Sequence, residues 1–180
     1  MTCRHLIAAA LAAVAGASAA QADSVHYTFT YTGNGSGVSA VGSLTLNGIG
    51  CATSGSITIS GTAADGTYAL ATYQYPPDGL VHFAQDTVSS GFYYDNNLYC
   101  EHETDPEQHL SSFGLLFTNY PSSSALFNIN INFNGSNYSM VSTFQTINDN
   151  GTFECSKVPA PGALAIAGLA GLVGSRRRRA

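Results

Sequence analysis

Residues 126–133 read LFNININF, and this stretch decides the predicted fold. Its apolar side chains stand at every second position and alternate with the amides of Asn128, Asn130 and Asn132. Successive side chains of a β-strand point to opposite faces, so a period of two places the apolar set on one face and the amides on the other. The stretch therefore predicts a strand with one buried face, as is typical of an antiparallel sheet.

The same alternation recurs in both directions along the chain, first at residues 26–32, which read HYTFTYT. No stretch between residues 23 and 157 keeps an apolar period near 3.6, so no helix is predicted there. Asn134-Gly135 and Asn150-Gly151 lie between apolar runs and predict hairpin turns. Shorter strands are predicted at residues 42–46, 56–60, 67–73, 80–83, 92–94, 115–117, 138–147 and 152–155.

About ten strands without a helix, separated by turn signals, predict an all-β body folded as an antiparallel β-sandwich or a jelly-roll-like single domain. The residues on the apolar faces form the predicted core. They are Tyr27, Phe29, Tyr31, Ile57, Ile59, Leu115, Phe117, Phe127, Ile129, Ile131 and Phe133.

Residues 1–22 have the three parts of a secretory signal peptide. Arg4 and His5 are followed by the apolar run LIAAALAAVAGA and by the small residues around Ala20-Gln21-Ala22. We expect cleavage between Ala22 and Asp23. The alternative is a permanent N-terminal anchor, but the run is shorter than the roughly 20 residues that a spanning helix needs.

Residues 158–180 read VPAPGALAIAGLAGLVGSRRRRA and predict a short C-terminal hydrophobic helix. The uncharged stretch at residues 162–174 would cover only about 20 Å as a helix, against a bilayer core of about 30 Å. Such a segment suits a temporary stop in the membrane better than a lasting anchor, although an ordinary tail anchor is the alternative. Lys and Arg are retained on the cytoplasmic side, which assigns that side to Arg176, Arg177, Arg178 and Arg179.

This tail resembles the PEP-CTERM sorting signal of Gram-negative bacteria, which has a proline-containing motif, an apolar segment and a terminal arginine cluster, in that order. Val158, Pro159, Ala160 and Pro161 supply the motif, with Ala160 where the namesake glutamate usually stands. The resemblance implies sorting by an exosortase, a membrane cysteine transpeptidase, in bacteria that produce exopolysaccharide. It covers residues 158–180 alone and implies contact with the membrane before processing.

The charge of the body, residues 23–157, restricts its partners. One basic residue, Lys157, stands against all eleven acidic residues of the chain, which gives this segment a charge of -10 with neutral histidines. A surface that neutralises phosphates needs clustered Lys and Arg. Nucleic-acid binding is therefore excluded.

The acidic segment at residues 95–109, DNNLYCEHETDPEQH, has oxygen ligands that suit calcium. Its spacing matches neither a calcium loop nor a zinc pattern, so we predict a solvated loop and no metal or cofactor. No G-x-S-x-G elbow accompanies the body's four histidines, and nothing selects a carboxylate pair among its acids, so no catalytic residue is predicted. Most aromatic residues belong to apolar faces, and the candidates for stacking on sugars are Tyr73, Tyr75, Tyr93, Tyr94 and Tyr99.

Cys51, Cys100 and Cys155 remain after signal cleavage, in a compartment that permits disulfides. They allow one bridge within the chain, and the three possible pairings stay open. The remaining thiol is either buried or free to join two chains.

The sequence thus predicts a non-enzymatic exported protein that passes through an inner-membrane intermediate to the cell surface or extracellular matrix. Exopolysaccharide is the predicted partner there. The alternative is a small secreted carbohydrate-binding module or hydrolase delivered by the same tail.

Overall fold

The computed structural model describes residues 24–72, 76–85, 91–100, 108–119 and 127–159. These ranges contain ten β-strands and one 3₁₀ turn, Thr143–Gln145. None of the helical structure in these ranges could cross a membrane. The predicted signal peptide and all of the tail beyond Pro159 lie outside them. The strands are β1 Val25–Gly33, β2 Ser39–Leu46, β3 Ala52–Ser60, β4 Gly66–Leu70, β5 His82–Gln85, β6 Gly91–Tyr94, β7 Leu115–Thr118, β8 Asn128–Phe133, β9 Tyr138–Ser142 and β10 Asn148–Lys157.

Eight of these strands close into one antiparallel barrel in the order β1-β10-β9-β8-β7-β4-β3-β2. Each barrel strand pairs with the next one along the chain, and β1 completes the circle by pairing with β10. Strands β5 and β6 form a separate two-stranded sheet, which is inserted between β4 and β7.

The prediction of an all-β body is confirmed for the described residues, whose one helical element is the 3₁₀ turn. The two-sheet sandwich or jelly roll is not the arrangement that forms, because the pairing of β1 with β10 makes the barrel a single sheet that closes on itself. Closure pairs the backbone N–H and C=O groups of the two strands that would be unpaired edges in an open sheet.

The barrel interior is filled by the apolar faces that the alternation predicted. Tyr27, Phe29 and Tyr31 of β1 are at most 5% exposed, while the threonines between them face outward. Nine of the eleven predicted core residues are buried, and Phe127 and Phe133 are partly buried against the same cluster. Leu44, Met140 and Phe153 are among the further members of this cluster, from strands whose alternation is weaker.

One of the two predicted hairpin turns is present. The Asn134 N–H donates to the Asn137 carbonyl at 2.9 Å, and Gly135 takes a φ of +94° between β8 and β9. The predicted turn at Asn150-Gly151 is wrong, because both residues belong to β10. Gly151 is needed there for close approach, since an added Cβ would collide with the Thr32 carbonyl of β1.

The single strand predicted at residues 138–147 is interrupted. Strand β9 ends at Ser142, and the 3₁₀ turn that follows holds Phe144 at a φ of +60° with 76% of its surface exposed. The Ile147 N–H donates to Ser142 Oγ at 2.8 Å and closes the connection into β10. A hydroxyl that accepts a backbone hydrogen bond competes with the sheet ladder, which explains the break.

Cys100 and Cys155 form the disulfide, with their Cα atoms 5.9 Å apart. The bridge joins the segment after β6 to β10. Cys51 keeps its thiol and is 1% exposed. Of the two fates open to the third cysteine, burial is the one the structure shows.

Candidate functional site

A surface groove runs along β8 and the loop that precedes β7. It consists of two depressions, of about 800 Å³ and about 400 Å³, that share Ser112, Phe113, Asn132 and Asn134. We call the two together the amide groove, because three asparagines of β8 and its following turn, at positions 130, 132 and 134, line it.

The groove is built by hydrogen bonds from the outward face of β8. Asn130 Nδ2 donates to the carbonyls of Phe113 at 2.9 Å and of Leu115 at 3.3 Å. Asn132 Nδ2 donates to the Ser112 carbonyl at 2.9 Å. The asparagines that the alternation placed opposite the core therefore hold a loop against the barrel.

Ser111 fixes the inner side of that loop. Its Oγ accepts hydrogen bonds from the backbone N–H groups of Phe113 at 3.0 Å and Gly114 at 2.9 Å. Gly114 takes a φ of +66°, and an added Cβ would collide with the Ile131 carbonyl. This tight turn positions Phe113, which is 37% exposed and lines both depressions.

Aromatic side chains of the inserted β5–β6 sheet form one wall of the smaller depression. Tyr93 lines it with 61% of its surface exposed, and its ring centroid lies 5.0 Å from that of Phe83. Of the other tyrosines that we considered for sugar stacking, Tyr99 lines the larger depression and Tyr94 is buried. Tyr73 and Tyr75 lie outside the described residues.

Asp95 is the only carboxylate among the described residues that line the groove. It is 6% exposed, and its Oδ1 accepts a hydrogen bond from the Asn97 N–H at 3.1 Å. Burial, with a smaller contribution from the Asp95 charge, raises the pKa of Tyr99 nearby. The described lining offers no second carboxylate and no histidine, so it supplies neither the acid and base pair of a glycosidase nor a nucleophile with its base.

The histidines of the described body lie elsewhere. One ring nitrogen of His26 lies 3.0 Å from Thr45 Oγ1 on the exposed surface between β1 and β2. His82 Nε2 lies 2.8 Å from Asp78 Oδ1 beside the inserted sheet, and this contact lowers the pKa of Asp78. Neither pair lines the amide groove.

The predicted acidic loop is described only at its two ends. Residues 101–107, which include most of its acids and His102, lie outside the described part of the chain. The structure instead brings together Cys100, His109 and Cys155, whose ligand atoms lie within 4.8 Å of one another. Sequence reasoning missed this cluster because Cys155 lies on a distant strand and no spacing pattern connects it to His109.

The predicted sorting motif begins where the barrel ends. The Val158 N–H donates to the His26 carbonyl at 2.8 Å, one residue beyond the last residue of β10. Val158 is 42% exposed, and Pro159 is the last described residue. Ala22, Asp23, Ala160, Pro161 and Arg176, Arg177, Arg178 and Arg179 lie outside the described residues, so the signal cleavage site and the cytoplasmic stop stay predictions.

Comparisons with protein-family models, with curated proteins and with solved structures find no match to this chain.

Proposed function

We propose that this chain is a non-enzymatic exported protein that an exosortase sorts to the envelope or the extracellular polysaccharide matrix, where its amide groove binds a glycan strand. The observation that carries the binding proposal is the lining of the groove. It combines amides, hydroxyls and partly exposed aromatic rings with a single carboxylate.

Such a lining matches the two kinds of surface that a sugar ring presents. The C–H face of a pyranose packs on an aromatic ring, as Phe113 and Tyr93 would allow. Each sugar hydroxyl both donates and accepts, and an asparagine amide does the same through its NH₂ and carbonyl groups. Asn132 lines both depressions, and its Nδ2 gives only one of its two protons to the Ser112 carbonyl, which leaves the other for a sugar oxygen.

The charge of the body favours neutral over acidic glycans. A segment of charge -10 repels a polyanion at low ionic strength. Asp95 adds a buried carboxylate to the groove itself. A uronate-rich strand would therefore be retained only through bridging divalent cations, whereas a neutral strand would bind without them.

The delivery part of the proposal rests on the sequence at both ends. The signal-peptide pattern precedes Asp23, and the V-P-A-P motif, apolar segment and arginine cluster follow Lys157. The position of the motif is compatible with this delivery, because it begins directly after Lys157, the last residue of β10.

A binding experiment tests the groove. We expect the full chain, purified in detergent, to bind neutral oligosaccharides in isothermal titration calorimetry without added metal. Phe113→Ala should weaken binding about 2- to 10-fold, because a stacked aromatic ring contributes about 0.5–1.5 kcal/mol. Phe144→Ala is the matched control, since Phe144 is an exposed phenylalanine outside the groove.

Two results would contradict the binding proposal. One is equal affinity of the Phe113→Ala variant and the unaltered chain. The other is turnover of a glycan or ester that a single Asp, Glu or His substitution abolishes, which would indicate a secreted hydrolase.

A fractionation experiment tests the sorting separately. Deletion of residues 176–180 should leave the protein exported but mislocalised, because the arginines halt transfer in the membrane. Intact-mass analysis of the recovered protein would show whether both ends are removed. Unchanged fractionation after the deletion would refute the sorting proposal and leave the binding proposal standing.

A further inference from the structure

Three residues that could ligate a metal converge from separate stretches of the chain, and two of them are the sequence neighbours of residues that line the amide groove. Cys100 follows β6, His109 precedes Leu110 in the next described segment, and Cys155 lies on β10. Their ligand atoms lie within 4.8 Å of one another, and all three residues are partly exposed. An ion or a reductant could therefore reach them from solvent.

The surroundings of His109 hold its ring in place while leaving one nitrogen without a partner. The His109 backbone N–H donates to Tyr138 Oη at 2.7 Å, and its ring is stacked on that of Tyr138 with centroids 6.4 Å apart. The centroid of the Phe153 ring lies 6.4 Å from that of the His109 ring. His109 Nδ1 is buried and has no hydrogen-bond partner among the described residues.

An unpartnered buried nitrogen is costly, and coordination is one way to satisfy it. A neutral imidazole nitrogen is the form of histidine that binds metals.

We propose that the reduced chain binds one thiophilic cation of the Zn²⁺ class through the thiolates of Cys100 and Cys155 and a ring nitrogen of His109. Two sulfurs and one nitrogen are a common zinc ligand set, and a site with three protein ligands keeps its fourth position for water. The proposal rests neither on glycan binding in the amide groove nor on the sorting tail.

The distances are compatible with both states of the cysteine pair. Tetrahedral zinc with Zn–S bonds of about 2.3 Å places two sulfurs about 3.8 Å apart. The Cα separation of 5.9 Å that accommodates the disulfide leaves room for this through side-chain rotation. The anionic character of the body, with Glu154 next to Cys155, favours a cation here.

The bridge must open before the ion binds. A dithiol supplies two electrons and two protons, so that the Cys100–Cys155 disulfide becomes two thiols and the dithiol becomes a cyclic disulfide. Zn²⁺ then displaces two protons as both sulfurs bind. Disulfide and metal exclude each other, so bound Zn²⁺ protects the pair from oxidation.

Co²⁺ and Zn²⁺ titration tests the site. The full chain in detergent, reduced with a phosphine under anaerobic conditions, should bind one equivalent of Co²⁺ with thiolate-to-cobalt absorption, and Zn²⁺ should displace it. His109→Ala should weaken Co²⁺ binding at least 10-fold, and the double variant Cys100→Ser with Cys155→Ser should abolish the thiolate bands of the site. His26→Ala and Cys51→Ala, which change a histidine and a cysteine outside the cluster, should bind like the unaltered chain.

Circular dichroism of each variant separates loss of ligand from loss of fold. If His109→Ala keeps the β spectrum and binds Co²⁺ as tightly as the unaltered chain, the proposal is overturned. Equal binding by the oxidised chain, or loss of binding in Cys51→Ala with the fold intact, would overturn it as well.

Discussion

The barrel has two regions that differ in how regular they are. In the regular face, which comprises β10, β1, β2 and β3, strands of eight to ten residues pair without a gap over most of their length. In the groove side, which comprises β4, β7 and β8 with the inserted β5–β6 sheet, strands are four to six residues long. Between β4 and β7 the described register contains only two pairs, Ala69 with Thr118 and Leu70 with Phe117.

The outward side chains of the two regions make different kinds of contact. On the regular face many are hydroxyls that contact hydroxyls of a neighbouring strand, such as Thr28 with Ser156 at 3.1 Å. At the border with the groove side, Thr58 of β3 contacts Thr67 of β4 at 2.9 Å. On the groove side they are amides that bind the backbone of a loop. The amide groove forms where the short strands leave backbone groups for side chains to satisfy.

Paired core substitutions test whether the two regions unfold as one unit. Ile57 of β3 and Ile129 of β8 are both 0% exposed. Each change to alanine should lower the free energy of unfolding by about 2–5 kcal/mol, through lost burial and the cavity left behind. Urea unfolding followed by circular dichroism and by tyrosine fluorescence should give coincident transitions for both variants. Two separate transitions would show that the regions unfold independently.

The disulfide joins the segment after β6 to the regular face. Replacing both cysteines, Cys100→Ser with Cys155→Ser, should lower the free energy of unfolding by about 2–4 kcal/mol, since the bridge closes a long loop in the unfolded chain. The cysteines are 55 positions apart. Chemical reduction of the unaltered protein should give a loss of similar size. No change in unfolding midpoint in either case would exclude a stabilising bridge.

The contrast between the two regions also explains what the sequence could predict. Period-two alternation reports which face of a strand is buried, and it located β1 and β8 together with nine buried core residues. It carries no information on which strands become neighbours, so a sandwich and a barrel have the same pattern. Closure depends on β1 pairing with β10, a contact between residues such as Tyr31 and Phe153 that lie far apart in the chain.

The groove, like the barrel, could be predicted only in part from the sequence. The alternation placed Asn130 and Asn132 opposite the core, and both line the groove there. The predicted single buried face is wrong, because Asn128 and Asn130 are only 0% and 5% exposed and the loop before β7 covers Asn130. Their partners are backbone carbonyls of residues 112–115, which no local pattern reveals. Tyr93 was among the predicted stacking candidates, whereas Phe113 was not, because its exposure depends on the turn that Ser111 and Gly114 form.

Removing one of these amides should affect the groove side alone. Asn130 is 5% exposed, and Asn130→Ala would leave the carbonyls of Phe113 and Leu115 without their side-chain donor. We expect a loss of about 1–3 kcal/mol in the free energy of unfolding. Asn148→Ala on the regular face is the control and should change it by less than about 0.5 kcal/mol, because Asn148 is exposed. Equal losses would contradict the structural role of the buried amide.

The smallest expected effect is a pH dependence at His109, where the loop meets β9 and β10. Burial lowers the pKa of His109, against the charge of Glu154, while Tyr138 and Phe153 face its ring without charge. A base with a lowered pKa binds fewer protons when folded than when unfolded. Stability should therefore decrease as the pH falls below about 6.5, the ordinary histidine value, until the pH reaches the lower pKa of the folded state.

Urea unfolding of the oxidised protein between pH 7.5 and 5.5 measures this dependence, and His109→Gln should flatten it. The window lies above the range where most carboxylates titrate, which limits their contribution. His26→Gln, at an exposed site, is the matched control. If the free energy of unfolding of His109→Gln falls with pH as steeply as that of the unaltered protein, another group is responsible for the pH dependence. Burial of the His109 ring would then contribute nothing to the acid sensitivity.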